Sequence, residues 1–93
     1  MPSLEPVATF LIETYLSRAR SGDIEDAIDR LRDAVASAAV PDRPVRHIRS
    51  FYVPEDEMAI HVVEAASLED AARLSSAAGL GPDRIVLAQP ATG

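Results

Sequence analysis

One run of side chains constrains this chain more than any other. Ile24, Ala27, Ile28, Leu31, Ala34, Val35 and Ala38 recur at spacings of three and four. That is the stripe of an amphipathic helix, which must lay one face on an apolar layer. Asp23 or Ser21 can cap its start, and Asp23, Glu25 and Asp26 place negative charge where the helix dipole favours it. Pro41 and Pro44 stop it.

The flanking segments supply the other layer. Val7 to Leu16 is rich in β-branched and aromatic residues and free of Gly and Pro, as a strand should be. Ser17 to Gly22 connects it to the helix. Val45 to Val53 and Met58 to Ala65 read as two strands, and the short polar link Pro54-Glu55-Asp56-Glu57 makes them an antiparallel hairpin. Ser67-Leu68-Glu69-Asp70 resembles a capping box with Asp in place of the usual Glu. It opens a second helix carrying Leu68, Ala71, Ala72, Leu74, Ser75 and Ala78. Gly79 is placed for a left-handed C-cap, with Leu80 packing behind it. Gly81-Pro82-Asp83 is a turn, and Arg84 to Ala88 a short last strand.

The order is strand, helix, strand, strand, helix, strand. Two such halves predict an α+β domain of the ferredoxin-like βαββαβ type, a four-stranded antiparallel sheet with both helices on one face. Residues 7–88 form this single domain. Residues 1–6 read as a flexible leader and 89–93 as a frayed tail.

Composition limits what such a domain can do. At 93 residues the core is thin, and much of the 47% apolar content is alanine, which buries little area. Pairing with a second copy would offset that. There is no cysteine, so disulfides, thiolate metal sites and cysteine nucleophiles are excluded. The formal net charge is −6, and all nine basic residues are arginine. That field opposes nucleic acid binding and is compatible with cations. No apolar run is long enough to span a bilayer, and the opening residues lack a basic n-region. No membrane and no nucleic acid partner is expected, and a cytoplasmic location follows by default.

Alternation along the strands assigns faces. Phe10, Ile12, Ile48, Tyr52, Met58, Ile60 and Val62 are expected beneath the helices. Leu11, Glu13, Tyr15, His47, Arg49, Phe51, His61 and Val63 then share the open face. That face is half apolar and half ionisable, which suits a homodimer surface, a ligand or metal cleft, or both. Glu13, Tyr15, His47, Arg49, Phe51 and His61 are the candidate ligand-binding set. Glu13, His47 and His61 are the candidate metal ligands, since nickel or zinc accepts imidazole nitrogen with carboxylate oxygen. The plainer reading makes the histidines interface residues and pairs Glu13 with Arg49. The acidic face of the first helix is a solvated one. Ser50, Ser75 and Ser76 show no elbow or triad pattern.

The same residues resemble a known family. Phe10-Leu11-Ile12-Glu13-Thr14-Tyr15 resembles its opening strand. Arg49-Ser50-Phe51-Tyr52-Val53-Pro54-Glu55-Asp56 is similar to its R-S-Y-V-x-P-D segment, and Val63-Glu64-Ala65-Ala66-Ser67 to its E-A-P-S motif. Ala78-Gly79-Leu80-Gly81-Pro82-Asp83-Arg84-Ile85-Val86 is similar to its A-G-L-P-x-D-x-I ending. The family comprises small bacterial ferredoxin-like proteins of largely unknown function, one branch of which binds nickel and forms dimers. The resemblance implies the same fold, a homodimer, and a divalent metal such as nickel as cofactor. This chain departs from the nickel-binding branch where that branch has His and Asp on strand 1 and a His after the second helix. Those places hold Glu13 or its neighbours, and Leu80. Many relatives carry Cys where this chain has His61. Glu13 and His61 are the ligand types left at matching positions.

The expected function is a small dimeric ligand- or metal-binding protein. The alternatives are a small acid/base enzyme using Glu13 with His61 or Tyr15, or a structural or regulatory dimer with no site.

Overall fold

The computed structural model describes residues 7–38 and 43–89. The expected leader, and the expected tail beyond Gln89, lie outside the described residues, as does Pro41. The order is β1 (Ala8–Tyr15), α1 (Asp23–Ala38), β2 (Arg46–Val53), β3 (Met58–Ala65), α2 (Leu68–Ala77) and β4 (Arg84–Ala88), with a single 3₁₀ turn at Arg18–Arg20. The strands form one sheet in the order β2-β3-β1-β4, every neighbour antiparallel. This is the expected ferredoxin-like βαββαβ arrangement.

The core lies between the sheet and the two helices. Phe10, Ile12, Val63 and Ala65 from the sheet meet Leu31 and Ala34 of α1, and Ala71, Leu74 and Ala78 of the α2 segment. Of the α1 stripe read from the sequence, Leu31 and Ala34 are buried, Ile24, Ala27, Ile28 and Val35 are half-buried, and the last member, Ala38, is exposed. On α2 the buried residues are Asp70, Ala71, Leu74 and Ser75; Leu68 and Ala72, both expected inward, are exposed. Leu68 is the first residue of that helix, ahead of the turn that reaches the sheet.

Both ends of α2 carry the expected caps. The Ser67 hydroxyl accepts from the Asp70 amide at 3.1 Å. At the other end the Leu80 amide donates to the Ser75 carbonyl and the Gly79 amide to that of Ser76. That is a Schellman motif, with Gly79 at φ +68°. Arg30 locks this end to α1: its Nη1 donates to the carbonyls of Ala78 (2.9 Å) and Gly79 (3.0 Å). A cation on a helix C-terminus is favourably placed by the dipole.

The register overturns part of the face assignment. Val53 pairs with Met58 across the four-residue link Pro54–Glu57. Partners five apart in number have opposite parity, so odd residues of β2 share a face with even residues of β3. Met58, Ile60 and Val62, expected beneath the helices, therefore stand on the open face. Ala59, His61, Val63 and Ala65 are buried on the helix side. A β-bulge between His47 and Arg49 changes parity a second time, within β2. Arg49 and Phe51 stay on the open face as expected. His47, beyond the bulge, turns to the covered side opposite Val63. Ile48, expected inward, is the extra residue and is 37% exposed.

Candidate functional site

The sheet register divides the candidate residues between two faces. Glu13, Tyr15, Arg49 and Phe51 are on the open face; His47 and His61 are on the covered face. The six do not form one site.

On the open face, Glu13 is directly opposite Arg84, and the Arg84 Nε donates to its Oε1 at 2.9 Å. Arg84, and not the expected Arg49, is its partner. Arg46 and Glu64 are likewise opposite each other, at 3.4 Å. Between these ion pairs Leu11, Ile60, Val62 and Val86 are half-buried and Phe51 is half-exposed, with the exposed Arg49 opposite Val62. Tyr15 projects into solvent at the end of β1.

On the covered face three polar side chains form a chain. Ser50 pairs with His61 across β2 and β3, so its hydroxyl lies on the helix side. The Ser50 Oγ is 2.6 Å from His61 Nδ1 and 2.9 Å from His47 Nε2. A hydroxyl can donate to one imidazole and accept from the other, so the chain is self-consistent in either direction. It ends on His61 Nε2, which is buried and has no hydrogen-bond partner. His61 itself is fully buried.

Electrostatics holds both rings neutral. Burial pushes the His61 imidazole down to about 4, and the neighbouring His47 and Arg30 lower it further within that shift. Burial also lowers His47, assisted by Arg32 and opposed by a hydrogen bond to the Arg49 backbone. A neutral ring keeps one nitrogen as donor and the other as acceptor, which is what the chain through Ser50 requires.

His61 also forms part of the wall of a cleft of about 160 Å³ beneath the first half of α1. Its other lining residues include the apolar Ile24, Ala27, Ala59 and Leu80, the polar Thr14 and Tyr15, and the charged Asp23 and Arg30. A larger, open groove of about 490 Å³ runs between α1 and α2 along Ala34, Ala38, Ala77 and Ala78. Its charged lining residues, Arg30 and Asp33, are exposed, and neither imidazole reaches it.

The metal set read from the sequence does not assemble in one copy. Glu13 is on the far side of the sheet from both histidines and is engaged by Arg84. The His61 Nδ1 is taken by Ser50. Among the described residues no three His, Asp or Glu side chains converge. The donor set therefore does not fit a nickel or zinc ion held by Glu13, His47 and His61. The acid/base pairing of Glu13 with His61 fails on the same separation.

Ser50 shows no nucleophile pattern in the sequence, and its role depends on strand register. The signal was present: a four-residue link between paired ends places Ser50 opposite His61. Arg30 belongs to the solvated face of α1 by its place in the sequence, and only the packing of α1 on α2 shows its second role.

No family model matches this chain, and comparison with curated proteins and with solved structures gives no match either. The class of protein is thus defined by the fold alone: a ferredoxin-like α+β domain with one sheet face uncovered. Among the described residues no helix is long and apolar enough to cross a membrane.

Proposed function

We propose that this chain is a homodimeric binding module. Two copies pack open face to open face, and the ligand chemistry of each copy lies on the opposite, helix-covered side. The observation that carries this reading is the division of labour between the faces. The open face is largely apolar, its Glu13 and Glu64 are matched by Arg84 and Arg46 within the same copy, and Arg49 adds a further positive charge on its β2 side. A contiguous face of that kind, on a domain with a thin core, gains stability by being covered. A second copy presents the same apolar surface in return.

Light scattering on the purified protein tests the pairing. The expected mass at micromolar concentration is that of two chains. Ile60→Glu, which puts a carboxylate in the middle of the face, should halve it while leaving the far-UV circular dichroism spectrum unchanged. A wild-type monomer at about 100 μM, well above the Kd of an ordinary specific dimer, would sink the proposal.

A further inference from the structure

We propose that the two copies pack strand on like strand, so that Arg49 of each copy stacks on the partner's Phe51. This rests on the face-to-face pairing proposed above and adds its orientation.

Strand pairing lays the open face out in four rows that cross the strands. In the order β2, β3, β1, β4, the second row is Arg49, Val62, Leu11 and Val86. The third row is Phe51, Ile60, Glu13 and Arg84. Arg46 and Glu64 belong to the first row, Val53 and Met58 to the fourth. The centre of the face therefore lies between the second and third rows, and between β3 and β1.

Sheets packed face to face in the aligned way keep their strands within about 30° of one another. A symmetric pair of this kind has a two-fold axis in the interface, and overlap is greatest when it passes through the centre of the face. The axis runs either across the strands or along them. Across the strands, each strand lies on its own counterpart and the two middle rows exchange. Arg49 then meets the partner's Phe51, and Val62 meets the partner's Ile60. Along the strands, β2 lies on the partner's β4 and each row meets itself. Arg49 then meets the partner's Val86, and Phe51 meets the partner's Arg84.

Arg49 decides between the two. It is exposed. Among the described residues it has no carboxylate partner, whereas Arg46 and Arg84 have Glu64 and Glu13. A guanidinium taken out of water without a partner is costly. With the axis along the strands, Arg49 is covered by a valine, and the aromatic ring goes to Arg84, which is already paired. With the axis across the strands, the ring goes to the cation that lacks a partner. Phe51 is 48% exposed, and a guanidinium stacks well on an aromatic face. Two-fold symmetry makes the contact twice.

Mixing two variants tests the orientation. Arg49→Gln and Phe51→Leu each remove both contacts from their own dimer. A mixed dimer keeps one contact whole: Arg49 of the Phe51→Leu copy on Phe51 of the Arg49→Gln copy. Native mass spectrometry over a dilution series should show the mixed dimer forming about fivefold more tightly than either parent dimer, the worth of one cation–π contact. Variants that are monomeric alone and dimeric together would show the same preference. Phe51→Tyr keeps an aromatic face and should dimerise as the wild type does. A mixed dimer at no more than its statistical proportion overturns the orientation and leaves the dimer standing, as does a loss in Phe51→Tyr equal to that in Phe51→Leu. A wild-type monomer at about 100 μM removes the dimer and the orientation together.

Discussion

The two faces of one sheet treat their polar groups in opposite ways. On the open face Arg84 and Arg46, both mostly in water, meet Glu13 and Glu64 across strand pairs. Such pairs contribute little, because water solvates either partner alone. On the covered face the half-buried His47 and Ser50 are joined to the fully buried His61, where a lost partner is replaced by nothing. The side with more charge is therefore the side with less at stake.

The largest expected contrast is between core and open face. Leu31→Ala, at a fully buried position on α1, should lower the unfolding free energy by about 2–5 kcal/mol in urea titrations. Ile60→Ala should cost only about 1 kcal/mol in dilute protein, with the loss growing as concentration rises. Equal losses at every concentration would erase the distinction between the two faces.

Acid should strike the covered face next hardest. The folded His61 imidazole is held at about 4, below its ordinary 6.5. Between those values the unfolded chain binds the proton more readily, so stability falls as pH falls. The contribution is intact above pH 6.5, declines through the interval and is gone below about pH 4. At about 1.36 kcal/mol per pH unit it amounts to roughly 3 kcal/mol. His61→Phe should flatten the urea midpoint across that interval. A variant with the wild-type slope would mean that other groups carry it.

A smaller pair of substitutions sharpens the same comparison. Ser50→Ala leaves the buried His61 Nδ1 and the half-buried His47 Nε2 without their shared partner and should cost about 1–3 kcal/mol. Arg84→Ala, which breaks the exposed pair with Glu13, should cost less than about 1 kcal/mol and less still in high salt. Thermal unfolding of both at two ionic strengths checks the order. If Arg84→Ala proves the costlier, polar groups on the open face matter in a way the monomer does not explain.

Much of the fold was legible in local patterns. The spacing from Ile24 to Ala38 marked α1, and Leu31 and Ala34 at its centre are buried. Ser67 and Gly79 marked both ends of α2 through capping chemistry confined to a few consecutive residues. The hairpin was marked by Pro54–Glu57. The site was much less legible, because which face a strand residue occupies depends on pairing with another strand. Glu13 showed this: it was on the expected face, yet its partner is Arg84, seventy-one residues away, and not Arg49.

The sequence by itself determined the element types, their order and their ends, since each rests on periodicity or capping within a few residues. Only the tertiary structure decided where the histidines go. A one-residue change in register sends every side chain of a strand to the other face. The four-residue link set the register of β3, and the bulge at Ile48 then set the direction of His47. Together they moved two imidazoles from the open face to a hydrogen-bonded chain on the covered side.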